Sequence, residues 1–154
     1  MIDFSIPQKY RSTTDTKRLN LALETTLHQL GINHDEAITL KITDNKSIQK
    51  LNRLYRQFDE PTDVLSFEND YVDLETGIHF LGDIVISYEK ALMQAQSQNH
   101  LFQQELEMLL IHGILHLCGY DHLDEDEFLE MSQQQDAILS AINNPLLKSI
   151  YHDE

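Results

Sequence analysis

LLIHGILHLCGYDH, residues 109 to 122, opens as an apolar helix and closes in a turn. His112 and His116 are four residues apart, so on a helix their rings leave the same face about one turn apart. Gly119 tolerates the left-handed backbone that turns a chain back after a helix. His122 then has three residues in which to return toward the first two histidines. The spacing H-x-x-x-H-x-x-G-x-x-H supplies three neutral nitrogens. Together with one open position, that is the arrangement of a catalytic zinc, not a structural one. A buried histidine pair is often plain core. This helix is apolar nearly all round, however, so imidazoles without partners would be costly in it.

The pattern extends outward from this helix, which should run from about Leu101 to Leu117. IDFSI near the start alternates Ile2, Phe4 and Ile6 and reads as a strand. Leu19, Ala22, Leu23, Leu27 and Leu30 recur at helical spacing over 15–30, and Gly31 follows as a stop. AITLKIT, 37–43, alternates as a half-buried strand. Asp44 is placed to cap a helix bearing Ile48, Leu51 and Leu54 to about Arg56. Pro61 prevents its continuation through FDEPTD. VLSF, 64–67, and GDIVIS, 82–87, are short strands, with ENDYVDLETGIHF between them as a loop or irregular hairpin. Ser87 can cap a helix to about Gln98. Asp124 with Glu127 starts a last helix to about Ile142. The expected class is α+β: a small mixed β-sheet covered by helices, with a central metal-binding helix of zincin-like kind.

The length of 154 residues suits one domain, 1–154, and no repeat or linker divides it. A single cysteine permits no internal disulfide, which fits a reducing compartment. The polar start MIDFSIPQKYRSTTD and the lack of a long apolar run lead to the expectation of a cytoplasmic protein with no membrane partner. The net charge is −15, which argues against indiscriminate nucleic-acid binding. That charge is unevenly spread. Residues 1–56 carry nine Lys and Arg against six Asp and Glu, a net of +3, and residues 57–154 carry −18. A polyanion would therefore meet local basic surface on the N-terminal half. The plainer reading of the acidic half is a solvated face.

The histidine spacing resembles that of the metzincin proteases, H-E-x-x-H-x-x-G-x-x-H, with one decisive difference. Protease chemistry needs a carboxylate beside the first histidine as general base. Here that position is Gly113. The glycine would also let another backbone approach the helix closely. A second cluster lies in LNRLYRQFDEPTDVLSF, 51–67, where Arg53 and Arg56 sit at a helix end. Arginine is the side chain best matched to phosphate, although cations at a helix C-terminus are also favourable against the dipole.

Taken together, YRQFDEPTDVLSF, LGDIVIS and HGILHLCGYDH, in that order, resemble the YbeY family of metal-dependent bacterial endoribonucleases. The resemblance spans at least residues 51 to 122, and the capped last helix with Met131 fits it. It implies a single-strand-directed endoribonuclease in ribosomal RNA processing, notably maturation of the small-subunit 3′ end, with a part in ribosome quality control. It implies one Zn²⁺ per chain on His112, His116 and His122. Arg56 falls on the family's functional arginine, and His112 on the histidine treated as essential. Expected partners are single-stranded and ribosomal RNA and the ribosome or its associated proteins, not DNA. Two departures stand out: Glu68 where proline follows LSF in many members, and QQQDAIL where more glutamates are expected. Neither is expected to touch a ligand. Asp121, beside a ligand, is expected to orient an imidazole.

Two other readings remain at this point. One is a zinc metalloprotease-like hydrolase, which would need a carboxylate base and no Arg56. The other is a non-catalytic ribosome-assembly factor with a structural metal. Nor does the sequence choose between attack on phosphorus by activated water and attack by the RNA 2′-hydroxyl.

Overall fold

The structure, a computed structural model, describes residues 1–146. β1 (Ile2–Ser5) leads through α1 (Gln8–Arg11) and α2 (Thr16–Gln29) to β2 (Glu36–Thr43). α3 (Asn45–Arg56), β3 (Val64–Val72), β4 (His79–Ser87), α4 (Tyr88–Gln98), α5 (Phe102–Leu117) and α6 (Glu125–Ala141) follow. The sheet order is β1-β2-β4-β3. β1 and β4 run parallel to β2, while β3 is antiparallel to β4 and forms one edge. This is the expected mixed sheet covered by helices.

The capping chemistry read from the sequence sets the helix starts. Asp44 accepts from the Ser47 amide, Ser87 from Lys90 and Asp124 from Glu127 as expected, and Asp15, a cap not read from the sequence, accepts from Lys17 and Arg18. Two elements differ from expectation. The four-residue α1 after Pro7 has no apolar period to announce it. The segment read as a loop or irregular hairpin is an irregular hairpin with longer strands than expected: β3 runs on to Val72 and β4 begins at His79, with a register shift between Glu68 and Tyr71. That shift breaks the period-two alternation on which the shorter strands were read. Beyond it, the stacked Tyr71 and Phe80 rings (centroids 5.0 Å apart) hold the pairing.

Alternation along β4 divides the core. Ile84 and Ile86 face the main cluster with Ile38, Leu40 and Ile42 of β2 and the apolar residues of α5. Val85 faces the other way, with Leu65 and with Ile48 of α3. α5 and α3 therefore cover opposite faces of the sheet. Every residue of α5 from Glu105 to Leu117 except His116 is buried. The two carboxylates in that run are partnered. Glu107 accepts from Arg18 of α2 at 2.6 and 2.9 Å, and Glu105 is hydrogen-bonded to His100 at 2.9 Å. Among the described residues, no helix is long and apolar enough to cross a membrane.

Candidate metal centre and RNA groove

α5 delivers His112 and His116 from consecutive turns of one face, with ring centroids 4.6 Å apart. The helix then ends as Gly119 predicts. Gly119 takes φ +99°, its N–H donates to His116 O (3.0 Å), and the Tyr120 N–H donates to Leu115 O (3.0 Å). These two bonds make a Schellman ending, which needs the left-handed residue at that place. The reversed chain returns His122 to the pair, with its ring 5.5 Å from His112 and 5.1 Å from His116. One ligand nitrogen from each of the three lies within 4.8 Å of the others.

Hydrogen bonds set which nitrogen each ring presents. His112 Nδ1 donates to Gln135 Oε1 of α6 at 3.1 Å, and His116 Nδ1 donates to the Tyr120 carbonyl at 2.9 Å. With the Nδ1 positions committed as donors, both Nε2 atoms carry lone pairs, and they face each other at 3.1 Å. Two lone pairs at that distance repel. They make sense with a shared cation between them: zinc with Zn–N near 2.0–2.1 Å sets tetrahedral nitrogens about 3.3 Å apart. The buried Nε2 of His122 has no hydrogen-bond partner, as a third ligand atom would be left without its ion. Electrostatics agree. Burial, then the neighbouring His116, pushes His112 down to about 3. Burial, then His122, lowers His116, with a smaller contribution from the Arg56 charge. The imidazoles are held neutral, the form that binds metal.

An open groove of about 720 Å³ runs past the cluster. The edge strand β3 floors it with Leu65, Ser66 and Glu68. His116, Tyr120, Asp121 and His122 form one wall, and Asn52, Arg56 and Phe58 form the other. His112 lies behind this surface, 4 % exposed. Arg56, the last residue of α3, spends one N–H on the Ser66 carbonyl (2.9 Å). A guanidinium has five such donors, so most remain for a ligand. The structure thus brings Arg56 and the three histidines to one groove. Arg53, by contrast, points to Asp59 at 3.9 Å in solvent.

Gly113 admits a close approach, but by side chains and not by the backbone that was expected. A Cβ there would lie 3.1 Å from both Ile84 Cδ1 and Ser66 Oγ, and Ser66 Oγ donates to the Gly113 carbonyl at 3.2 Å. The sheet occupies the space a glutamate base would need. Two expectations are corrected. Asp121 is hydrogen-bonded to backbone and not to an imidazole: its Oδ1 accepts from the His122 N–H at 2.8 Å, shaping the turn. The QQQDAIL segment does touch one of the three histidines, because Gln135 is hydrogen-bonded to His112. Gln135 is 2 % exposed, on the same face as Met131 and Ile138. A glutamine inside an apolar stripe was the available signal.

Comparison with known proteins agrees with this geometry. The family model described as Endoribonuclease YbeY matches residues 3–143. The chain belongs to that family. Similar members, each named Endoribonuclease YbeY, include one from Alkaliphilus oremlandii, 44 % identical over 129 residues, covering 81 % of this chain and 84 % of that one. Another, from Desulfitobacterium hafniense, is 40 % identical over 146 residues, covering 90 % and 91 %. A solution structure of a Thermotoga maritima protein shares the fold, with TM-score 0.58 and 27 % identity over 94 % of each chain. Family membership makes this protein a hydrolase of the endoribonuclease class, and the three-histidine group is consistent with a metal requirement.

Proposed function

We propose that this protein is a zinc-dependent endoribonuclease that cuts single-stranded RNA in ribosomal RNA processing, including maturation of the small-subunit 3′ end, and that it serves ribosome quality control in the cytoplasm. The observation that carries the chemistry is the convergence of three imidazole nitrogens opposite an arginine across one open groove. His112, His116 and His122 would hold one ion per chain, and an all-imidazole set suits zinc. A bound zinc supplies Lewis-acid chemistry, polarising a phosphoryl oxygen and lowering the pKa of a water to about 7. Arg56 binds the scissile phosphate and balances the charge that grows on it during cleavage. Gln135 and the Tyr120 carbonyl fix the rings that His112 and His116 present.

A peptidase reading is opposed by Gly113, whose surroundings leave no room for the base that chemistry requires. The test is metal analysis with RNA cleavage. The wild type should hold about one zinc per chain and cleave single-stranded RNA. His116→Ala should lose both. Arg56→Ala should lose activity while keeping its zinc. Full zinc and full activity in His116→Ala would remove the site assignment. A wild type that binds ribosomes yet cuts no RNA would favour a purely structural metal.

A further inference from the structure

The charge map singles out one element. α3 carries Lys46, Lys50, Arg53 and Arg56 and no acidic residue, a local +4 in a chain whose remaining residues sum to −19. Lys46, Lys50 and Arg53 follow one another at i, i+4 and i+7, so they share one face over about 10 Å of helix axis. All three are exposed, on the side opposite the buried Ile48 and Asn52 that seat α3 on the sheet. The stripe runs toward the helix C-terminus, where Arg56 enters the groove. Of these, Arg53 lies 3.9 Å from the exposed Asp59, a pair of the kind worth about 0–1 kcal/mol and easily given up.

A second feature sits where the stripe meets the groove. The chain leaves α3 through Gln57, a non-glycine residue in the left-handed region (φ 61°), and the Phe58 N–H donates to Asn52 O at 3.3 Å. This turn presents the Phe58 ring, 61 % exposed, on the groove wall. Nearby Tyr55 has a packing role, edge-on to Phe67 at 5.4 Å. The fold gains little from holding a large apolar ring in water at the rim of an RNA site. A flat ring beside a row of cations is, however, the equipment with which proteins hold single strands: cations follow the phosphates and aromatic rings stack the bases.

We propose that the exposed face of α3 is the entry track for the RNA strand, with Lys46, Lys50 and Arg53 on successive phosphates and Phe58 stacking a base next to the phosphate bound by Arg56. This rests on the endoribonuclease reading and adds the path by which the substrate reaches the groove. Glu60 and Glu68 also line the groove, and the cations of α3 outweigh their repulsion of the backbone.

The experiment uses the zinc-loaded full chain and a fluorescent, unstructured RNA oligomer. Binding is followed by anisotropy between about 50 and about 200 mM salt, with cleavage measured in parallel. Each phosphate contact on a single strand contributes about 0.7 to the slope of log affinity against log salt. The triple variant Lys46→Gln/Lys50→Gln/Arg53→Gln should therefore lower that slope by about 2. Its cleavage defect should fall in KM. The chain has no tryptophan, so Phe58→Trp adds a single fluorophore at the mouth. Its emission should be quenched by single-stranded RNA and left alone by a blunt duplex. Phe58→Ala should raise KM, and Phe58→Tyr should restore it. An unchanged salt slope in a folded triple variant overturns the track. An unquenched tryptophan overturns the stacking. A wild type that cleaves no RNA instead removes the underlying functional reading.

Discussion

Replacing Gln135 with methionine should weaken zinc binding by roughly 10- to 100-fold, the usual cost of losing a partner behind a metal-binding histidine. Methionine keeps the length and nearly the volume of glutamine, so α6 stays packed on α5 and only the acceptor is removed. Gln135 Oε1 accepts from His112 Nδ1 at 3.1 Å, and His112 and Gln135 are 4 % and 2 % exposed. Water cannot readily replace it. Leaving a buried donor unmatched costs about 1–3 kcal/mol, which converts to the same affinity range at 1.4 kcal/mol per tenfold. The metal-free chain can relieve the loss by switching His112 to its other tautomer. The metal-bound form cannot, because Nε2 must keep its lone pair, so the cost falls on the bound state. Gln135→Glu supplies a stronger, charged acceptor and should bind at least as tightly as wild type. Competition against a chromophoric chelator, with thermal unfolding as a control for folding, measures both. Wild-type affinity in a well-folded Gln135→Met would refute the claim that this bond sets the ligand.

Other positions give independent checks. Gly113→Glu should not create a peptidase; it should unfold or aggregate, because its Cβ alone meets Ile84 and Ser66 at 3.1 Å. Gly113→Ala trades a helix-propensity gain of about 1 kcal/mol against an overpacking cost of about 1–3 kcal/mol. Chemical denaturation should show it neutral to modestly destabilised, and a stabilisation of the full propensity gain would show the sheet is not close. In the metal-free chain, His112 is pushed down to about 3 by burial and His116 is lowered mainly by burial. The unfolded chain takes up protons at both below about pH 6.5. Their neutral burial therefore costs nothing above that pH, and stability is lost as pH falls below it, by up to about 1.4 kcal/mol per proton per pH unit. His79, raised first by its hydrogen bond to Asp70, works in the opposite sense, and His79→Gln should steepen the acid loss seen in urea titrations at stepped pH. Burial pushes the Cys118 thiol up to about 11. Iodoacetamide near neutral pH should modify the native chain some two orders of magnitude more slowly than the unfolded one.

How far the sequence reveals this molecule depends on how local each determinant is. Helix α5 and its ending were legible because the apolar run, the four-residue histidine spacing and Gly119 all act within one stretch. The caps at Asp44, Ser87 and Asp124 were legible for the same reason. The far half of the β3–β4 hairpin was not, since its pairing depends on a register shift and on Tyr71 meeting Phe80 across strands. Gln135 was missed because its partner is 23 residues away, and only the packing of α6 on α5 brings the two together. Arg56 was indicated by the family resemblance; its segment alone fits a cation placed against the helix dipole equally well. Its place across the groove from His116 is a property of the sheet, which separates α3 from α5 and leaves both C-termini beside the edge strand β3.

That placement explains why Gly113 and the metal ligands belong to one design. For Arg56 to share a groove with the histidines, β3 must press against α5, because Arg56 is anchored on the Ser66 carbonyl and Ser66 is anchored on the carbonyl of Gly113. A Cβ at 113 would meet the Ile84 side chain and the Ser66 hydroxyl at 3.1 Å, and would so disturb the Ser66 bond that lies behind the Arg56 contact. The same absence of a side chain removes the base on which peptide hydrolysis depends. On the proposed function, one glycine does two things: it leaves no carboxylate base beside His112, and it admits the contact through Ser66 behind Arg56. Replacing it would then disturb the wall that holds Arg56 before it touched a histidine. Loss of activity in a folded Gly113→Ala should accordingly appear with zinc content intact.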